Sequence, residues 1–273
     1  MEKFQLQVFL NLIGIGAASG LLFDNDSLLI IADNSTYLYE YQFNTKLTSK
    51  IPLVENPAEN IPKKDKLDFE VITKKNNKIH ILGSGSKANR NEKMVYNLKN
   101  QKVKQKNNAK LYAAFNKIAA LDKEELNIEG CFITTDFSYY FQRGNGKQQR
   151  NGIFKVSNSN KKKINFTPII LPKIKNEITT FTDAILVEDK IYFLATAEAS
   201  NSTYLDGEIL GTLIGALDLN TFQLENYTLI SDNQKFEGIT LFSNSDTEIH
   251  FLICEDNDKN EAETKIYKLI LSK

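Results

Sequence analysis

Apolar and polar residues alternate with a period of two in short runs along most of the chain, and clusters of Asn, Asp, Gly and Ser separate the runs. This is the pattern of half-buried β-strands joined by tight turns. It predicts strands at 18–23, 27–32, 36–43 and 46–53, then at 68–73, 77–83, 92–98 and 101–106. A third set follows at 127–134, 136–143, 151–157 and 163–171, and a fourth at 181–186, 190–196, 209–218 and 222–230. The last set has three members, at 236–242, 247–254 and 263–271. Helical spacing is good in one place, KLYAAFNKIAALDKEE at 110–125, between the second and third sets.

The five sets resemble one another. ASGLLFDNDSLLIIAD, FEVITKKNNKIHILGS, IEGCFITTDFSYYFQR, TDAILVEDKIYFLAT and FEGITLFSNSDTEIHFLIC align so that Ser19, Glu70, Glu129, Asp183 and Glu237 share one position. The intervals are 51, 59, 54 and 54 residues, and the path from Glu237 through the C-terminus and on from Met1 to Ser19 adds 55. Five similar units spaced around a circle are the sequence form of a β-propeller. The expected fold is all-β: one five-bladed propeller over residues 1–273, with a short helix between blades 2 and 3. FQLQVFLNL at 4–12 supplies the strand missing from the last blade, which closes the ring and removes an open edge.

The first strand of each propeller blade lines the axis, so Ser19, Glu70, Glu129, Asp183 and Glu237 are expected to face one another. Four converging carboxylates raise one another's pKa. Lysine or arginine partners, solvent, a proton or a bound cation can relieve this. Calcium suits the set best, because it takes about 6–8 hard oxygen ligands in irregular geometry. Zinc is disfavoured by the lack of His and Cys in the ring. The other reading is that these carboxylates bond to nearby backbone N–H groups and organise the blade starts. His80 and His250 align with Tyr192 and Leu29, a set that reads as packing between blades rather than as a general base.

The longer polar loops, 32–36, 83–93, 142–152, 196–208 and 254–263, fall on the face where the first strands begin. Asp33, Ser84 and Arg143 each follow a ring residue by 14 positions. GSGSKANR offers hydroxyls and backbone N–H groups that could cradle an anion, with Lys87 and Arg90 beside them. Asp33, Ser84, Ser86, Lys87, Arg90 and Arg143 are therefore the expected substrate-binding residues. In this scheme a ring calcium bridges to a small phosphorylated molecule. No activated Ser–His or Cys–His pair is evident, so catalytic residues stay unassigned.

Composition changes little in this picture. Hydrophobic residues make up 41% and charged residues 25%, as in globular proteins with a sizeable core. The 34 basic and 34 acidic side chains balance, so nothing global points to nucleic acid or an anionic membrane, and a protein partner is left open. The dense lysines at 98–110 and 161–163 read as solvated loops or edges. Cys131 and Cys254 sit in apolar runs without metal-ligand spacing and read as free buried thiols. The N-terminal apolar stretch is broken by Gln5, Gln7 and Asn11 and reads as a strand rather than a signal peptide. A cytoplasmic protein is the corresponding expectation.

The order Ser, Glu, Glu, Asp, Glu at the blade starts resembles that of the soluble calcium-activated nucleotidases, or apyrases. Further likeness lies in KFEGI around Glu237, in ASGLLFDNDSLLIIADNSTYLYEY with its acidic turn at Asp33, and in IEGCFITTDFSYYFQR with Glu129 and Arg143. The resemblance implies a five-bladed propeller, an axial calcium held by serine and glutamate side chains, and hydrolysis of phosphoanhydrides or phosphoesters. Similar blade starts occur in phytase-like esterase propellers and in uncharacterised bacterial propellers. Asn34 stands where the apyrase turn has arginine, Val71 where it has tryptophan, and Arg143 is single where that family has two arginines. These departures touch the nucleotide chemistry more than the metal ligands. The alternatives are a non-catalytic ligand- or protein-binding propeller with a structural carboxylate ring and, last, a glycoside hydrolase, for which the chain lacks tryptophan platforms.

Overall fold

β-Branched and aromatic residues at alternate positions give each run faces that must be covered, and stacked sheets cover them. In a computed structural model, which describes residues 4–122, 124–199, 207–256 and 263–273, the runs form twenty strands in five four-stranded sheets. The N-terminal strand β1 spans Phe4–Ile13. Blade 1 contains β2 (Ala18–Asp24), β3 (Ser27–Ala32), β4 (Tyr37–Gln42) and β5 (Leu47–Pro52). Blade 2 contains β6 (Phe69–Lys75), β7 (Lys78–Gly83), β8 (Glu92–Asn97) and β9 (Lys102–Asn107). Helix α1 (Ala109–Ile118) follows. Blade 3 holds β10 (Ile128–Ile133), β11 (Phe137–Gln142), β12 (Gly152–Ser157) and β13 (Ile164–Pro168). Blade 4 holds β14 (Thr179–Val187), β15 (Lys190–Glu198), β16 (Ile209–Asp218) and β17 (Leu224–Ser231). Blade 5 holds β18 (Lys235–Asn244), β19 (Glu248–Asp256) and β20 (Glu263–Ser272).

Every sheet is antiparallel, and in blades 1, 2 and 4 a two-residue hairpin joins the first two strands. In the first, Asn25 and Asp26 adopt φ values of 49° and 60°, the left-handed pair that matches strand twist. β1 pairs antiparallel with β20 and completes blade 5, as expected for a ring closed by the chain's own ends. The helix is shorter than its sequence pattern. Ala120 turns to a φ of 48°, and Arg150 caps the end by donating to the Ala119 carbonyl at 2.6 Å, so residues 119–122 leave the helical path.

The apolar clusters lie between neighbouring blades. Phe69, Ile79 and Met94 of blade 2 pack on Leu29 and Leu38 of blade 1, while Val71 and Leu82 face Tyr140 and Phe154 of blade 3 beneath α1. Cys131 and Cys254 are buried free thiols. Among the described residues no helix is long and apolar enough to cross a membrane.

Candidate metal and ligand chamber at the propeller axis

The innermost strand of every blade carries a β-bulge at one place. Pairing skips Ser19 between Ala18 and Gly20, Glu70 between Phe69 and Val71, and Glu129 between Ile128 and Gly130. In blade 4 it skips Thr182, between Phe181 and Asp183, and in blade 5 it skips Glu237 and Gly238, between Phe236 and Ile239. A bulge re-aims its side chain, here relative to the axis. The ring is thus Ser19, Glu70, Glu129, Thr182 and Glu237, and the fourth place expected for Asp183 belongs to its neighbour. Asp183 faces the blade interface instead: its carboxylate accepts the Ala184 N–H at 2.7 Å and the Ile239 N–H of blade 5 at 2.9 Å. Burial pushes its pKa well above the usual carboxylate range, and these two bonds pull against that.

The two hydroxyl members of the ring also tie blades together. Ser19 Oγ donates to the Phe69 carbonyl at 2.5 Å, and Thr182 Oγ1 donates to the Phe236 carbonyl at 2.7 Å. Each bond holds the peptide just ahead of a glutamate in the next blade. The glycine after the ring position has a matching reason. A Cβ on Gly238 would lie 2.7 Å from the Leu21 nitrogen, and one on Gly130 would lie 2.9 Å from the Ala184 nitrogen.

Three ring glutamates, Glu70, Glu129 and Glu237, open into a small polar chamber with a free volume of about 60 Å³. This is room for a few waters or one cation, not a nucleotide. Asp33, Asp68, Glu198 and Asp256 join them, against Lys63, Lys66, Arg90, Arg143 and Lys235. Seven carboxyl groups thus meet five basic side chains. A larger cleft of about 510 Å³ lies between blades 4 and 5 near Tyr192 and Leu271, but titratable groups converge in the axial chamber.

The residue two places before each glutamate decides how that glutamate is satisfied. Asn127 Nδ2 donates to Glu129 Oε1 at 2.6 Å, and Lys235 Nζ lies 2.9 Å from Glu237 Oε1. In blade 2 that place holds Asp68, which is acidic and offers no donor when ionised. Glu70 is 8% exposed and has neither a hydrogen bond nor an ion pair among the described residues. Burial, followed by the charges of Glu129, Asp68, Glu237 and Asp33, raises its pKa well above the usual range.

The other groups are tightly paired. Arg143 lies 3.3 Å from Glu129 Oε1 and 2.5 Å from Glu198 Oε1. Lys235 also lies 2.9 Å from Asp256 Oδ2. Burial raises the pKa of Glu129 and Glu237, against the pull of Arg143 and Lys235 on Glu129 and chiefly of Lys235 on Glu237. Asp68 Oδ2 accepts from Arg90 Nη1 at 2.7 Å and from Ser84 Oγ at 2.5 Å, while its Oδ1 is 2.9 Å from Lys66 Nζ. Burial raises Asp68, but Lys66, Arg90 and Ser84 outweigh it and hold the pKa below normal. Lys66 also bonds to Asp33 Oδ2, so its ammonium bridges two carboxylates. Burial nevertheless leaves the Asp33 pKa raised.

One oxygen from each of Asp33, Asp68 and Glu70 lies within 4.8 Å of the other two. That spacing and an all-oxygen donor set fit a hard divalent cation with bonds of about 2.3–2.6 Å. Lys66 Nζ, between Asp33 and Asp68, stands in for such a cation.

The expected substrate-binding residues divide. Asp33, Arg90 and Arg143 line the chamber, but the arginines face carboxylates. Ser84 and Ser86 turn inward to Asp68 and to each other, with Ser84 Oγ and Ser86 Oγ 2.9 Å apart, and Ser86 Oγ also accepts from Arg90 Nη1 at 2.9 Å. The GSGSKANR turn is therefore folded onto an internal acid, and Lys87 lies outside the chamber lining. Parts of the 196–208 and 254–263 loops fall outside the described residues. Lys66, Asp68, Glu198, Lys235 and Asp256 are chamber residues that the sequence reading passed over. The spacing K-x-D-x-E at 66–70 and K-x-E at 235–237 is the signal that could have found three of them.

A family model described as "Family of unknown function (DUF6929)" matches residues 14–271. No curated protein sequence matches the chain. Among solved structures, Myxococcus xanthus glutaminyl cyclase superposes with a TM-score of 0.52 at 8% identity, covering 97% of both chains. The major Malassezia sympodialis allergen Mala s 1 gives 0.52 at 10% identity, covering 93% of this chain and 92% of that one. At such identities the likeness concerns the fold alone.

Proposed function

The chain belongs to the DUF6929 family of unknown function, and we propose that its axial chamber binds one divalent cation, calcium by donor chemistry, for contact with a small anionic ligand at the mouth. Asp33, Asp68 and Glu70 would hold the ion. The observation that carries this reading is Glu70: a buried carboxyl group lining the chamber with no hydrogen bond or ion pair among the described residues, where acids outnumber bases by two. An uncompensated carboxylate in a low-dielectric site is costly, and a divalent cation offsets that cost.

Binding is better supported than hydrolysis. Arg90 and Arg143 face Asp68, Glu129 and Glu198, so neither is free to stabilise charge developing on a transferred phosphoryl group. A phosphorylated ligand remains within the reading, as an anion completing the coordination of the ion.

Calorimetric titration of chelator-treated protein tests it. Calcium should bind with one-site stoichiometry, and Glu70→Gln should weaken binding at least tenfold while leaving the fold intact by circular dichroism. An absence of both heat and thermal shift at millimolar calcium would overturn the reading.

A further inference from the structure

The sheet of blade 2 has a second charge arrangement that the axial chamber does not explain. Its strand pairing sets three rows across the face turned toward blade 3. The first row is Val71, Leu82, Lys93 and Lys106, and the second is Thr73, His80, Val95 and Lys104. The third is Lys75, Lys78, Asn97 and Lys102. Six lysines and one histidine share this face, and the strands bring no carboxylate to it. Glu92, the acid of these strands outside the axial chamber, pairs with Asn107 on the opposite face.

Two of these rows place like charges directly opposite each other, Lys93 against Lys106 and Lys75 against Lys78. Such cross-strand pairs are destabilising. None of the six lysines forms an ion pair among the described residues, so among those residues nothing on the strands or around them neutralises the face. The local field is felt within the face. Burial first, and then Lys161 of blade 3 and Lys106, depress the Lys93 pKa, and His80 Nδ1 is sealed without a partner.

Lysine on an outer strand can simply discourage edge-to-edge aggregation. That explanation does not reach Lys93, which lies on the third strand, or Lys75 and Lys78, which lie on the inner two. Nor is the device general: of the other outermost strands, β1, β13 and β17 contain no lysine and β5 contains one, Lys50, which is paired with Glu59.

We propose that this face, in the wedge between blades 2 and 3 below α1, is a binding site for a small, multiply phosphorylated anion. The lysine rows lie two residues apart, about 7 Å, and the strands about 5 Å apart, so the patch is about 14 Å on a side. That suits a few adjacent phosphates. Lysine supplies point charges without the forked geometry of arginine, which matches phosphate charge rather than one substituent pattern. The wedge turns toward blade 3, which favours a small ligand over a duplex or a bilayer. The site is separate from the axial chamber and does not depend on it.

Inorganic tripolyphosphate is the probe, titrated into chelator-treated protein at low salt with the melting temperature and the His80 ring resonance as readouts. Wild type should be stabilised, the His80 signal should move, and affinity should fall steeply with added salt. The double variant Lys93→Gln/Lys106→Gln should bind at least tenfold more weakly, and without ligand it should melt no lower than wild type because a repulsion is gone. Should it fail to fold, Lys102→Gln/Lys104→Gln on the outer strand makes the same test. The charge-matched control Lys50→Gln/Lys190→Gln should bind as wild type. Equal losses in control and test variants, or an unmoved His80 signal, would overturn the site. Tighter binding of a DNA duplex or of phosphatidylserine vesicles than of tripolyphosphate at the same salt would overturn the assignment to a small ligand.

Discussion

Asp68 stands two residues ahead of Glu70, in the place from which Asn127 reaches Glu129 and Lys235 reaches Glu237. The bulge repeats but the approach to it does not: Asp68 takes a φ of 57° and is held by Lys66, Arg90 and Ser84, so two ring glutamates are met from that place and Glu70 faces a like charge. The contrast lies within a single ring of buried glutamates. In blade 2 it leaves one ring carboxyl group without an ion pair among the described residues.

Replacing Glu70 with glutamine should therefore stabilise the metal-free protein. The isosteric amide removes a group that must either carry a buried charge beside Asp68 and Glu129 or take up a proton to avoid it. A gain of about 1–2 kcal/mol corresponds to a rise of about 2–8 °C in a chain of this size. In calcium the order should reverse, because only wild type gains the stabilisation that follows ligand concentration over Kd. Melting curves of both proteins in chelator and in calcium check this, and a Glu70→Gln variant less stable than wild type in chelator would refute it.

Lys235 is expected to behave in the opposite way. It lies 2.9 Å from both Glu237 and Asp256 and is buried with them. Lys235→Met keeps the length of the side chain and leaves these acids facing each other without a cation. Loss of one partner from a buried ionic cluster costs about 3–5 kcal/mol. Urea unfolding at neutral pH should show that loss, and Glu237→Gln added to Lys235→Met should recover part of it. Additive effects of the two substitutions would mean that they are not coupled.

The five-fold count was legible because blade length is nearly constant and because Ser19, Glu70, Glu129 and Glu237 are polar residues inside apolar runs. The fourth blade shows the limit of that logic. Thr182 and Asp183 are both polar, and alternation alone does not say which one the bulge expels from the ladder, so the acidic neighbour aligned more readily with glutamates. The inward turn of Ser84, Ser86 and Arg90 was hidden for another reason. Their common partner, Asp68, lies 16 to 22 residues away, in the segment that leads into β6. A loop rich in hydroxyls and cations looks the same in sequence whether it faces a ligand or an internal acid. The lysines of blade 2 were visible as a dense run, but their collection on one face, together with Lys75, Lys78 and Lys93, needed the register.

The revised ring makes its own prediction for blade 4. Asp183→Ala removes the acceptor for the Ala184 and Ile239 N–H groups, leaves buried donors unmet, and should cost about 2–4 kcal/mol. Thr182→Val loses one bond, to the Phe236 carbonyl, and should cost about 1 kcal/mol. Calcium affinity should be unchanged within twofold in Asp183→Ala, read by calorimetry on the folded fraction. A tenfold loss there would return Asp183 to the list of metal ligands.

His80 supplies a pH dependence of known sign. Burial, then Lys93, Lys106, Lys78 and Lys75, push its pKa from 6.5 down to about 4. Below pH 6.5 the unfolded chain protonates this residue while the folded protein keeps it neutral. The His80 contribution is thus fully present above pH 6.5 and is lost as the pH falls toward 4. The residue is partly exposed, so solvent screening reduces the loss to about 1–2 kcal/mol. The chamber glutamates have raised pKa values and act with the opposite sign, favouring the folded state as the pH falls, so the whole-protein profile mixes both. His80→Leu separates them: leucine stands at the aligned position in blade 1, Leu29, and does not titrate. Urea midpoints measured at pH 7 and at pH 4.5 should fall further in wild type than in His80→Leu, and the His80 ring resonance should titrate near 4. Parallel pH profiles in the two proteins, or a ring titration near 6.5, would show that the lysines around His80 do not act on it as the register implies.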